Sequence, residues 1–260
     1  MTFIDTHSHL YREYYPENLD EVVVRAVRSD VKQIILACVN PETPAQIAEA
    51  VNLYPDNIFA LAGLHPQDVN DNYEADLEAV RSHIGDRNIV GIGETGLDYY
   101  WDKTYEVQQK AAFRQQLCWA RDLHLPLSMH IRNAYPDAIE ILSQFKSGEL
   151  SGVIHCFSGG IQEAKWAIQH GYAIGVGGIV TFKNNKLKEM LPEIGLQHIV
   201  LETDAPYLAP VPHRGTPNES SYIPLIAQTV ADVFQVSVND VANQTTETAR
   251  RIFKKLPAEQ

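Results

Sequence analysis

Short apolar runs with β character recur along the chain and alternate with segments of helical spacing. The runs predict eight strands, at Thr2–Thr6, Gln33–Val39, Phe59–Leu64, Ile89–Gly93, Leu125–Met129, Gly152–Ile154, Ala173–Val176 and Ile199–Glu202. Several are continuous rather than alternating, the pattern of parallel strands buried on both faces. Between them, Leu19, Val22, Val23 and Ala26 fall at i, i+3, i+4 and i+7, and so do Ala138, Ile141, Leu142 and Phe145. Shorter stripes at Phe113, Leu117 and Ala120, and at Ile226, Val230 and Val233 after the last strand, have the same period. Asn40-Pro41 and Asn133 supply helix-start signals. Proline and glycine cluster at Pro206–Pro217, which reads as a long loop after the eighth strand. Eight strand-then-helix units favour a TIM (β/α)8 barrel over an open, doubly wound α/β sheet.

The chain has 260 residues, close to the roughly 250 typical of such a barrel. The sequence shows no internal repeat, linker or low-complexity stretch, so a single domain over residues 1–260 is expected. A formal net charge of −12 argues against a basic surface that grips nucleic acid non-specifically. It leaves room for a local positive site, since salt confines surface fields to roughly 8 Å. Cys38, Cys118 and Cys156 form no CxxC pair, which suggests a reducing compartment and no disulfide framework. Cys156 adjoins His155 but points to the opposite face of a strand, so it reads as a packed thiol. Asp5 and His7 interrupt any apolar leader, and no apolar run reaches the ~20 residues of a membrane span. A cytoplasmic protein without membrane contact is expected.

Six polar residues lie in or just after these apolar runs: His7, His9, Glu94, His130, His155 and Asp204. Side chains at the carboxyl ends of parallel strands converge on the site of a barrel. Four imidazoles and two carboxylates form a nitrogen and oxygen donor set large enough for two divalent ions. His7 and His9 are two apart on a strand and face the same way. Glu94, in GIGETGLDY, has two carboxylate oxygens and is the natural bridge. Glu202 and Asp204 share a face of the eighth strand. Asp204, nearer its end, is assigned to metal and attacking water, and Glu202 to orienting a ligand imidazole. His65, in GLHP, is left between ligand, substrate contact and supporting group. The chain thus reads as a metal-dependent hydrolase.

The motifs FIDTHSH, GLHP, GETGLDYYW, MHIR, IHCFSG, LETDAPYLAP and HRGTPNES, spread over residues 3 to 220, closely resemble the TatD family of metal-dependent deoxyribonucleases. The resemblance implies a TIM barrel binding a pair of divalent ions through His7, His9, Glu94, His130, His155 and Asp204. It also implies a cytoplasmic exonuclease acting on DNA, expected here to cleave single strands from the 3′ end as a monomer. One departure stands out. Ser220 follows Asn218-Glu219 where a proline is expected, a change assigned to the loop after the eighth strand and not to the metal site.

With neutral imidazoles, two ionised carboxylates would only partly offset two divalent ions and leave a net positive field, suited to a phosphodiester. Glu94 and Asp204 are the catalytic candidates, with Asp204 taking the proton of the attacking water. Arg132 and Arg214 are candidate phosphate contacts, with His65 as a further substrate contact; structural ion pairs are the alternative for each arginine. Tyr99, Tyr100 and Trp101 are placed either to stack a base or to pack beneath the site. The donor set suits Zn²⁺ or Mn²⁺, while the family resemblance points to Mg²⁺. Rival readings are an amidohydrolase, an ester hydrolase such as a D-aminoacyl-tRNA deacylase, and a metal-binding scaffold without catalysis. Many amidohydrolase barrels bridge their metals with a lysine at the fourth strand, and strands four to six hold none.

Overall fold

The computed structural model describes residues 1–16 and 18–258. Eight parallel strands follow one another in spatial order: β1 (Phe3–Ser8), β2 (Val31–Leu36), β3 (Ile58–Ala62), β4 (Ile89–Asp98), β5 (Leu127–Arg132), β6 (Gly152–Ile154), β7 (Tyr172–Val176) and β8 (Ile199–Leu201). Around them lie helices α1 (Leu19–Arg28), α2 (Thr43–Leu53), α3 (Tyr73–Arg81), α4 (Glu106–Leu123), α5 (Tyr135–Leu142), α6 (Ile161–Gln169), α7 (Lys186–Ile194), α8 (Ile223–Phe234) and α9 (Val238–Ile252). The seam between β8 and β1 is drawn together by Thr6 Oγ1, which donates to Leu201 O at 3.0 Å. Beyond it Asp204 N–H donates to His7 O and His9 N–H to Ala205 O. The fold is the expected barrel.

The helical stripes do what their spacing requires. Leu19, Val22, Val23 and Ala26 are the buried residues of α1. Ala138, Ile141 and Leu142 are buried in α5, with Phe145 packed beyond its end. Helix starts fall later than the asparagines suggest. Asn40 Oδ1 accepts from Glu42 N–H and Thr43 N–H, so it shapes the turn before α2. Asn133, at φ 53°, turns the chain ahead of α5. The Pro206–Pro217 stretch lies within an irregular connection from β8 to a 3₁₀ turn at Ser220–Tyr222.

Alternation divides the strands' side chains between two cores. Phe3, Ile34, Leu36 and Ile58 pack outward among the helices. Ile4, Ile35, Phe59, Leu61, Val90, Val153 and Val200 pack together inside the barrel, with Ala249 and Ile252 of α9 and with Phe253 and Leu256 after it. The α9 segment lies across the amino-terminal ends of the strands: Thr246 Oγ1 donates to Thr2 O, and Gln33 Nε2 to Pro257 O. The stripe analysis had no helix here. The signal was a capping box, in which Ser237 Oγ accepts from Asp240 N–H and Asp240 Oδ2 from Ser237 N–H.

Strand β4 runs five residues past its apolar stretch. Gly93 and Gly96 have φ of 149° and 145°, which side chains rarely adopt. A Cβ on Gly93 would stand 2.7 Å from Ser128 O, and one on Gly96 would overlap His130 O. These glycines let β4 press against β5 on both sides of Glu94, pairing Gly96 with His130 and Asp98 with Arg132.

Candidate metal centre

The carboxylate of Glu94 is the hub of the open end of the barrel. Its Oε2 lies 3.2 Å from His7 Nε2 and 3.5 Å from His9 Nε2. Its Oε1 lies 2.7 Å from His155 Nε2, 3.0 Å from His130 Nδ1 and 3.4 Å from His65 Nε2. Asp204 closes the ring from β8, with Oδ1 3.3 Å from His9 Nε2 and 3.9 Å from His7 Nε2. All six residues singled out as ligands therefore meet in one place. Asp204 holds φ 57° just past β8, a sparsely populated conformation that turns its side chain to the site.

His65 joins them, closer to the ligands than a substrate contact need be. Three groups of donor atoms lie near enough to hold an ion: His7, His155 and Asp204; His7, His9 and Glu94; and His65, Glu94 and His130. The first and third share no residue. Buried imidazoles and carboxylates at this spacing match the chemistry of a divalent ion. Cys156 belongs to none of the groups among the described residues.

Electrostatics within the cluster are divergent. Burial raises Glu94's proton affinity, but the surrounding histidines, led by His155, outweigh it and hold the carboxyl well below the usual range. Asp204 is likewise pushed up by burial and brought below its ordinary value by His9 and His155. Burial lowers His155 to about 4, helped by His7, whose ring stacks on it at 3.8 Å. An imidazole so placed is neutral and keeps a lone pair for a metal. His65 goes the other way, to about 10, because Glu94 and Asp68 overcome its burial.

Several supports escaped the sequence reading. Asp98 Oδ2 stands 2.8 Å from His130 Nε2, and Ser128 Oγ 2.9 Å from His7 Nδ1. Spacing was the available signal: Asp98 is four residues beyond Glu94 on β4, and Ser128 two before His130 on β5. Glu202 lies under the site as expected, accepting from Cys156 N–H. Its Oε1 is 3.8 Å from His155 Nδ1, while its other oxygen and that nitrogen have no partner. Burial, first, and neighbouring carboxylates hold Glu202 well above the ordinary range.

The departure at Ser220 reaches the site after all. Ser220 Oγ donates to Asp5 Oδ2 at 2.6 Å, and Asp5 also accepts from Thr203 Oγ1, Thr203 N–H and His7 N–H. Those neighbours carry His7 and adjoin Asp204, so the change belongs to the framework under two candidate ligands and not to the loop alone.

Above the ligands opens a cleft of about 510 Å³ whose walls include Tyr14, Gln67, Trp101, Arg132, Tyr207 and Leu208. Arg132 faces it and forms no ion pair among the described residues; its guanidinium lies 4.0 Å over the Tyr100 ring. Arg214 is not brought there. It stacks on Phe182 at 4.3 Å and does not line the cleft. The aromatic trio also divides, since Tyr99 donates its hydroxyl to Asp137 while Tyr100 and Trp101 stay exposed.

Comparison with known proteins gives the family. The family model described as TatD related DNase matches residues 4–254. An uncharacterized metal-dependent hydrolase, YabD, of Bacillus subtilis is 37% identical over 96% of this chain and 98% of its own. A protein of Pectobacterium atrosepticum named 3′-5′ ssDNA/RNA exonuclease TatD is 31% identical over 96% of this chain and 98% of its own. The crystal structure of YJJV, a TatD homolog from Escherichia coli K12, superposes with a TM-score of 0.88 at 27% identity, covering 97% of this chain and 98% of that one. The chain belongs to the TatD-related family of metal-dependent hydrolases.

Proposed function

We propose that this protein hydrolyses phosphodiester bonds of single-stranded DNA, removing nucleotides from the 3′ end with two divalent ions held by the cluster. The convergence of five imidazoles and two carboxylates on one place carries the reading, because it holds two donor groups that share no residue, one of them containing Glu94. The relative named as a 3′-5′ exonuclease supports the choice of substrate. His7, His9, Glu94, His130, His155 and Asp204 would hold the ions, with His65 beside them. When bound, the ions supply Lewis acidity that activates water and neutralises charge on the phosphate.

The chain's own residues do the rest. Asp204, ionised and partly open to the cleft, accepts the proton of the attacking water and returns one to the leaving oxygen. Arg132, which forms no ion pair among the described residues, clamps the non-bridging phosphate oxygens bidentately. Asp98 and Ser128 fix the rings of His130 and His7, and Glu202 stands beneath His155.

The test is hydrolysis of end-labelled single-stranded DNA after chelation, with Mg²⁺, Mn²⁺ or Zn²⁺ added back, beside Asp204→Asn. Metal-dependent shortening from the 3′ end, lost in the variant, is expected. Bound metal without any cleavage of DNA would overturn the proposal and move the search to aminoacyl esters.

A further inference from the structure

Four aromatic side chains are left largely in water on the described surface: Trp101 at 67% exposure, Tyr100 at 52%, Tyr207 at 47% and Tyr14 at 40%. All four stand beside this one cleft. Exposed aromatic rings gathered at one place mark a binding surface, because each forgoes the burial it would find in the core.

They form two walls. Trp101 and Tyr100 follow β4, meet edge to face with centroids 4.8 Å apart, and carry Arg132 from β5 over both rings. Tyr207 follows β8, and Tyr14 follows β1. Their hydroxyls bond at 3.0 Å, and Tyr207 packs edge to face on the candidate ligand His9 at 5.9 Å. In an eight-stranded ring the β1–β8 seam lies half a turn from the β4–β5 pair. The walls therefore face each other across the Glu94 cluster, with Trp101, Tyr14 and Tyr207 all lining the cleft between them.

We infer that the cleft takes a splayed dinucleotide, with the scissile phosphate over the ligand cluster, one flanking base stacked on Trp101 and the other on Tyr207. The inference rests on the phosphodiesterase reading above and adds its footprint and a physical basis for its choice of single strands. Both bases must leave their neighbours to reach opposite walls, which a single strand or frayed end allows and an intact duplex does not. Stacking on a ring face tolerates any base, so the site reads strandedness and not sequence. Arg132 serves both halves, holding the Tyr100 and Trp101 rings through its guanidinium while turning N–H groups toward the phosphate.

The decisive experiment crosses enzyme variants with base deletions. Metal-loaded wild type, Trp101→Ala and Tyr207→Ala are given oligonucleotides with an abasic site on the 5′ or the 3′ side of the scissile bond. With all bases present, each variant should lose about 5- to 150-fold in kcat/KM, the range for one stacked base. Deleting the base that a wall holds should cost wild type a similar factor and the matching variant almost nothing more. Trp101 should couple to one base and Tyr207 to the other, and Trp101→Phe and Tyr207→Phe should recover most of the loss. Strictly multiplicative losses, or coupling of both residues to the same base, would overturn the two-wall arrangement while leaving the nuclease intact. No cleavage of intact DNA by wild type would instead remove the phosphodiesterase reading, and this one with it.

Discussion

The two ends of this barrel are built from the same strands and answer to opposite demands. On β6, Val153 packs in the apolar interior, and His155, two residues on, sits against Glu94. On β8, Val200 packs against the same interior, while Glu202 and Asp204 just past its end lie at the site. The amino-terminal end is sealed by Ile252, Phe253 and Leu256, where each buried carbon contributes stability. The carboxyl-terminal end buries imidazoles and carboxylates that stabilise little without a bound cation. Alternation lets a strand change purpose within two residues, so stability and chemistry are separable by position along one strand.

Two substitutions test that separation from both sides. Glu94→Gln removes the charge that all the rings share and should lower kcat by about 1000-fold or more, on the scale of several kcal/mol of electrostatic stabilisation. Bound metal, measured by mass spectrometry of the eluted ions, should fall with it, while circular dichroism shows the barrel retained. Phe253→Ala should do the reverse. An emptied aromatic site in the plug loses about 3–5 kcal/mol of stability by denaturant titration, with metal content and kcat of the folded protein unchanged. A Phe253→Ala enzyme that is stable but inactive would dissolve the distinction between the ends.

Ser220 lies where the two demands meet. Its hydroxyl satisfies a fully buried Asp5 whose other donors come from the segments carrying His7 and Asp204. Ser220→Ala should remove about 1.5–3 kcal/mol of stability, the contribution of a hydrogen bond to a charged group. It should also weaken metal binding modestly, because both ligand-bearing segments lose a tie. Destabilisation with metal affinity untouched would confine Ser220 to the fold.

The barrel was legible because its strands are buried on both faces and so read as unbroken apolar runs. The residues that meet at the candidate site were legible because each interrupts or ends such a run. What stayed hidden depends on contact between elements distant in sequence. Nothing before Glu94 signals that β4 continues to Asp98, since the extension relies on two glycines pressed against β5. Arg132 and Arg214 look alike in sequence, yet one meets Tyr100 at the cleft and the other Phe182 away from it. Helix α9 carries a capping box and buried residues, but its role as the plug of the barrel depends on the whole ring of strands.

The narrowest test of the open end concerns Asp98, which belongs to none of the donor groups and acts through His130. A carboxylate there accepts the N–H of Nε2 and fixes the ring, leaving Nδ1 turned toward Glu94. Asp98→Asn keeps the volume but replaces the anion with an amide that can face the ring with either end. Metal affinity should fall about 10- to 100-fold, as for other changes behind a ligating histidine. Stability of the metal-free protein should move little, and kcat at saturating metal should recover most of its value. Saturating metal is the decisive condition, because a group that only positions a ligand can be compensated by mass action, whereas one that handles protons of the reaction cannot. If kcat stays low with the ions fully bound, Asp98 belongs to the chemistry itself, and the proton path assigned to Asp204 must be shared with it.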